Sequence, residues 1–312
     1  PHGLERPVIM DASVAQLGGY RFVYVLPLGP DELFVEDTYY QDTPLLDRAE
    51  LSSRIDAYCH AQGWQGETLG IETGVLPVIT GGDPAAYLAA KTIADNGIFD
   101  VSKHQQAFAA HFGAGGAFNG YIDRPTRGTL ENIAAEKLSP SGIDDDQHPA
   151  IATLPAMIAA DQDNLLDAMQ ITNVNDVAAK YSTLLASLLR DVLNGTPVQD
   201  ALTKTANGTP LLQAALDTDE TNSVAYGEVT NRACHLPQGI PLAFHIMRHS
   251  SSYTDAVETN ILAGGDSAGR SLIIGAVMGA AHGIATPNGI PLAWILKTDN
   301  NAEIWRTIQK IT

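Results

Sequence analysis

Apolar and polar positions recur with two different periods along this chain. Between Val8 and about Tyr40 the runs "PVIMDASV", "GYRFVYVLPL" and "DELFVEDTYY" are short and rich in β-branched and aromatic residues. They are separated by "LGG" and "LGPDE", which supply turn chemistry, and the pattern predicts strands. From Tyr20 to Leu26, Phe22, Tyr24 and Leu26 alternate with Arg21, Val23 and Val25, the period of two of a pleated strand. Leu45 to Gln62 then predicts an amphipathic helix, with Leu51, Ile55 and Tyr58 on one stripe and Gly63 as its stop. "GVLPVIT" predicts one further strand. After about Asp83 apolar residues recur at three and four. Leu184, Leu185, Leu188, Leu189 and Val192 form one helical face, ended by Gly195 and Pro197. "HPAIATLPAMIAA" and "SLIIGAVMGAAHG" also predict helix. The expected architecture is mainly α: a small α+β segment of antiparallel strands plus one helix over 1–82, then a helical domain over 83–312. The boundary falls within "LPVITGGDPAAY", with no linker composition to mark it.

Composition narrows the possible partners. The chain has 312 residues, 45% of them apolar, enough to bury a sizeable core. Asp and Glu outnumber Lys and Arg 36 to 18, a formal charge of -18, so nucleic acid is excluded as a non-specific partner. A phosphorylated ligand would need local help from a cation or from backbone N–H groups at a helix start. Cys59 and Cys234 are the only cysteines and are expected as reduced thiols. No run approaches the ~20 apolar residues of a membrane span. The expectation is a cytoplasmic protein. Because the chain starts at Pro1 without Met, a fragment of something longer stays open, as does the oligomeric state.

Residues 260–283, "NILAGGDSAGRSLIIGAVMGAAHG", spell several motifs at once. Gly265 to Gly269 reads as the G-x-S-x-G of a serine hydrolase elbow, which requires a strand before Ser267 and then an acid and a histidine in that order. "SYTDAVETNIL" has helical spacing, no acid separates Ser267 from His282, and His282 lies on the helix that Ser267 would begin. Gly264 to Ser271 resembles a phosphate loop, but Arg270 stands where the compact lysine charge is required. Asp266 could also offer a carboxylate to a cation, although a hard cation needs several oxygen ligands. Local chemistry alone favours a Gly-rich helix start with Asp266 and Ser267 as caps. His245 and His249 share a helix face, but no glutamate follows His245 as in H-E-x-x-H. Gly275 and Gly279 predict close packing between soluble helices.

"NGIFDVSKHQQAFAAHF", "GYIDRPTRGTLENIA", "SGIDDDQHPAIATLPAMIA" and "AGGDSAGRSLIIGAVMGAAHG" occur in this order. Together they resemble the motifs of the ADP-ribosylglycohydrolase superfamily, in particular the divergent branch that includes the J-type crystallins. The resemblance implies an all-helical domain from about Asp83 onward. It also implies two Mg²⁺ ions at the mouth of an ADP-ribose cleft in active members. Asp266 matches the first aspartate of the family's C-terminal metal motif and Ser267 its threonine. Ala268 stands where the second aspartate belongs and Gly269 where the next threonine belongs. The family's N-terminal metal motifs have no counterpart, so the resemblance implies a degenerate metal site with Asp266 as its one ligand. Asp123, Asp144, Asp145, Ser267 and Gly269 become candidate ADP-ribosyl-binding positions. On residue chemistry alone, Asp123 is a helix cap or loop residue, and Asp144 to Asp146 form a solvated acidic loop before the helix after Pro149.

The head of the chain, "RPVIMDASVAQLGGYRFVYVLPLGPDELFVEDTYY" and "QGWQGETLGIETGVLPVI", resembles the central part of bacterial lycopene β-cyclase, over about residues 3–83. That family is an FAD-containing group of carotenoid biosynthesis, and a membrane-peripheral location would follow. The carry-over makes Glu36, in "FVEDT", the catalytic carboxylate and Asp37 its neighbour. Without it, the two are alternating residues near a strand end. The family's Gly-rich flavin motif is absent, which puts FAD binding in doubt. The two resemblances meet at Gly82-Asp83, as a chimeric chain would. Three functional classes follow: hydrolysis or binding of an ADP-ribosyl ligand, carotenoid cyclisation, and a non-catalytic helical protein like the crystallins.

Overall fold

The computed structural model describes residues 2–4, 6–17, 20–40, 47–71, 84–118 and 120–312. The strand expected from "GVLPVIT" and the Gly82-Asp83 junction lie outside them. The chain divides into two compact units, Pro1–Val78 and Ile79–Thr312.

The first unit holds three strands, β1 (Val8–Asp11), β2 (Tyr20–Gly29) and β3 (Glu32–Tyr40), and one helix, α1 (Arg48–Ala61). The strands form one antiparallel sheet in the order β1-β2-β3. In the β2–β3 register Val23 faces Asp37, Tyr24 faces Glu36 and Val25 faces Val35. Val23, Val25 and Tyr58 form the core, with Leu33, Val35 and Trp64 packed against it. The Tyr58 hydroxyl donates to Asp11 at 2.8 Å, tying α1 to β1. Helix α1 begins three residues later than its apolar stripe predicts. The reason is local: the Asp47 carboxylate accepts from the Ala49 and Glu50 N–H groups and fixes the N-cap there.

The second unit is helical. In chain order it comprises α2 (Pro84–Asn96), α3 (Val101–Phe112), α4 (Arg124–Ala134), a 3-10 turn (His148–Ile151), α5 (Leu154–Ala159), α6 (Leu165–Met169) and α7 (Asp176–Leu193). These are followed by α8 (Val198–Ala206), α9 (Pro210–Asp217), α10 (Ser223–Thr230), α11 (Leu236–His249), α12 (Tyr253–Ala263), α13 (Ser267–His282), α14 (Leu292–Lys297) and α15 (Asn301–Ile311). Helix α11 is apolar nearly all round and is central, with Leu236, Ile240, Phe244 and Met247 fully buried. The predicted face of α7 (Leu185, Leu188, Leu189, Val192) and Ile273, Ile274 and Val277 of α13 complete that core. The segment expected as one helix from "HPAIATLPAMIAA" is instead a 3-10 turn followed by the short α5. Pro149 and Pro155 each stand in a first helical turn, where a missing N–H is harmless, so each starts a new element.

Candidate functional site

The motif at residues 260–283 is a turn between two helices, built from backbone requirements. Gly264 and Gly265 both have positive φ, 69° and 63°. A Cβ on Gly265 would stand 2.3 Å from the Arg232 carbonyl oxygen, so no larger residue fits there. Asp266 is the N-cap of α13, its Oδ1 accepting from the Gly269 N–H at 2.9 Å. Arg270 is fully buried. Its guanidinium donates to the Gly264 and Asn260 carbonyls at the end of α12 and to Asn260 Oδ1. The segment before Ser267 is helix α12, not the strand that a hydrolase elbow requires. Both spellings, elbow and phosphate loop, are therefore coincidences of letters.

The fold assembles an acidic group from three places in the sequence, Asp123, Asp145 and Asp266. Asp123 caps α4, accepting from the Thr126 N–H at 2.8 Å. Burial raises its carboxyl above the usual carboxylate range, and the charges of Asp266 and Asp145 push it further the same way. Cys234 faces the same charges: burial raises its thiol, and Asp266, Asp145 and Asp123 add to the shift. For Asp266 burial acts upward, but the hydrogen bonds from His148 and Gly269 outweigh it, and its carboxyl lies below the ordinary value. The contact to His148 is 2.8 Å between Nδ1 and Oδ2, with the ring N–H donating.

The expected solvated loop at Asp144 to Asp146 takes a different form, because each carboxylate has a partner from elsewhere in the chain. Only Asp144 is exposed, and it accepts from Asn175 Nδ2 at 2.7 Å. The Asp145 side chain is 1% exposed and pairs with Arg124, while its Oδ1 accepts from the Gln147 N–H. Asp146 pairs with the His235 ring. Desolvation makes the Asp145 pairing obligatory, since a buried carboxylate without a partner is costly. Ser267 is buried, and its carbonyl accepts from Asn260 Nδ2. Gly269 leaves the room into which the His148 ring fits: a Cβ there would lie 2.3 Å from His148 Nδ1.

The metal expected at Asp266 finds little support in this chemistry. Mg²⁺ demands six oxygens in near-octahedral array. Of the three residues that follow Asp266, only Ser267 has a side-chain oxygen; of the nearby carboxylates, Asp123 caps α4 and Asp145 pairs with Arg124. Among the described residues no group of three or more His, Cys, Asp or Glu side chains is arranged to hold a metal ion. His245 is likewise committed, its Nδ1 to the Ser223 hydroxyl and its Nε2 to the Glu220 carbonyl, each at 2.8 Å, so the His245/His249 pair is no zinc site. Gly279 of α13 packs beside Ile290 and Tyr253, the close helix packing its spacing predicts. Cys59 and Cys234 are both free thiols.

In the first unit Asp37 is held by Arg21, whose Nε and Nη2 donate to its two oxygens at 2.8 and 3.0 Å. Tyr39 also donates to it, and Arg54 donates to Tyr39 at 3.0 Å. Glu36 points to the other face and accepts from Thr38 Oγ1 at 2.8 Å. Both lie in the middle of β3 and not at its end. The two candidate carboxylates are thus separated by the pleat, and Asp37 is occupied as an ion pair. Sequence reasoning overlooked His148, Arg124 and His235. Their partners lie 118, 21 and 89 residues away, beyond any local spacing signal.

Two family models match the chain. One, lycopene cyclase protein, matches residues 1–97. The other, ADP-ribosylglycohydrolase, matches residues 83–312. Crystallin J1A of Tripedalia cystophora is 26% identical over 250 residues, covering 72% of this chain and 76% of that protein. Lycopene beta-cyclase of Pantoea ananas is 46% identical over 99 residues, 31% of this chain and 26% of the cyclase. The enzyme of the same name from Pseudescherichia vulneris is 49% identical over 90 residues, 23% of its length. The chain therefore spans about a quarter of the cyclases it matches. A solved structure described as an ADP-ribosylglycohydrolase-related protein complex superposes with a TM-score of 0.52 at 18% identity. It covers 78% of this chain and 89% of that one, a likeness of fold. No helix among the described residues is long and apolar enough to cross a membrane.

Proposed function

This chain belongs to the ADP-ribosylglycohydrolase family through residues 83–312, and from that premise we infer that it is a non-hydrolysing member acting in the cytoplasm. One observation carries the reading: the C-terminal motif keeps a single carboxylate, Asp266, while Ala268 and Gly269 offer no donor atom. A two-metal mechanism needs a clamp on both the attacking and the leaving oxygen, and the other carboxylates near Asp266 are engaged, Asp123 as the cap of α4 and Asp145 with Arg124. Without cations, the charges of Asp123, Asp145 and Asp266 would repel the pyrophosphate of an ADP-ribosyl ligand. Similarity to a protein named a crystallin supports the same conclusion, that the helical frame serves as a scaffold.

Calorimetry with ADP-ribose, with and without Mg²⁺, tests this directly, together with a turnover assay on an ADP-ribosylated protein. The expected result is no release of ADP-ribose and no Mg²⁺-dependent heat. Mg²⁺-dependent turnover would overturn the reading. Binding of ADP-ribose without turnover would make the unit a reader of the modification.

A second reading concerns residues 1–97, whose similarity to lycopene β-cyclases favours descent from a carotenoid-cyclising enzyme. FAD does not fit what is present. A dinucleotide site needs a parallel strand leading through a Gly-rich turn into a helix. The described strands of this unit are all antiparallel. Asp37 is bound by Arg21, so the acidic pair has lost one member to a structural role. The unit is read as a cyclase-derived piece without cyclase chemistry.

A further inference from the structure

We propose that His148 holds the place of the divalent cation at Asp266, so that the aspartate of the family's metal motif has become a closing contact of the fold. The proposal rests on the non-hydrolysing reading above and says what replaced the metal. Both oxygens of Asp266 are in use: Oδ1 accepts from the Gly269 N–H at 2.9 Å and Oδ2 from His148 Nδ1 at 2.8 Å. A cation approaching Oδ2 would have to share that oxygen with the ring N–H.

The ring is not an accidental neighbour, because the chain has built a slot for it. His148 is 2% exposed. On one side a Cβ at Gly269 of α13 would lie 2.3 Å from its Nδ1 and 2.4 Å from its Cγ. On the other side a Cβ at Gly239 of α11 would lie 2.6 Å from its Cε1 and Nε2. No side chain larger than hydrogen is compatible with the ring at either position. The imidazole is thus clasped between glycines of two different helices. Its approach is fixed by the 3-10 turn that Pro149 begins and by the bridge between Gln147 and His235. Nε2 is buried without a hydrogen-bond partner among the described residues, so the contact that orients the ring there is the one to Asp266.

The test is a urea-unfolding midpoint measured on the full chain in EDTA and in Mg²⁺, for wild type, His148→Ala, Asp266→Asn, the double variant and Gly269→Ala. The wild-type midpoint is expected to be the same in both solutions. Each of the first two substitutions should lower it, and the double variant should unfold no earlier than the weaker single one. Gly269→Ala should also lower it, although alanine normally strengthens a helix over glycine. Full additivity of His148→Ala and Asp266→Asn, or a raised midpoint in Gly269→Ala, sinks the cation-replacement proposal and leaves the non-hydrolysing reading standing. A Mg²⁺-dependent rise in wild type that Asp266→Asn abolishes overturns both. Should His148→Ala fail to fold, the near-isosteric Asp266→Asn and the Gly269→Ala variant still decide.

Discussion

His104 shows how one residue can carry a measurable pH dependence. It lies on α3, 1% exposed, with its ring centroid 4.9 Å from Phe99 and 6.3 Å from Phe108. Burial in this aromatic group lowers its pKa from 6.5 to about 4. Between those values the unfolded chain binds a proton that the folded chain refuses. Stability is therefore complete above pH 6.5 and falls as the pH drops towards 4. The loss attributable to this ring between pH 7 and pH 5 is about 2 kcal/mol. His104→Phe keeps an aromatic ring among aromatic neighbours and should flatten the acid limb by that amount in urea midpoints taken at the two values. An unchanged acid limb would show that the ring is not kept neutral by the fold. Asp123 illustrates the opposite sign: burial raises its carboxyl, so its charge at neutral pH weighs against folding and only the Thr126 cap contact offsets it.

At the scale of the element, caps and periods explain most boundaries, while buried polar contacts explain the exceptions. Asp47, Asp123 and Asp266 each start a helix by accepting from backbone N–H groups one turn in, and such residues ahead of an apolar run are readable from sequence. The alternation in β2 was equally readable, yet it gave no sign that Arg21 would be as buried as Val23. Arg21 is tolerated there because Asp37, one strand over, supplies a bidentate partner. Removing one side of such a pair strands a buried charge. Asp37→Ala should cost about 3–5 kcal/mol and loosen β2 and β3, whereas the double change Arg21→Met, Asp37→Leu should recover most of it. Amide hydrogen exchange across the two strands separates these outcomes. If Asp37→Ala leaves exchange unaltered, the pair is not structural and the acidic motif regains its candidacy for chemistry.

For the whole molecule, two family models match different parts of the chain, residues 1–97 and 83–312, and the two units can be judged separately. The cyclase-like unit has its own sheet and one helix, but its described strands lack the parallel arrangement a flavin requires. The purified 312-residue chain is expected to emerge from gel filtration after FAD loading without visible flavin absorbance. Retained yellow colour would restore the cyclase reading. The sequence by itself determined the two periods, and through them the mainly helical architecture behind a small antiparallel sheet. It also marked the caps Asp123 and Asp266, which act within one turn, but not the division of "HPAIATLPAMIAA" into a 3-10 turn and α5. The four ordered motifs of the helical part pointed to the family, and positions 266, 268 and 269 were legible as one carboxylate and two residues without a side-chain donor. Only the tertiary structure decided what surrounds Asp266. Asp145 with Arg124, Asp146 with His235 and Asp266 with His148 are pairs 21, 89 and 118 residues apart. No local period encodes them. They form because burial strips the carboxylates of water, and each then requires whichever donor the packed helices bring within reach.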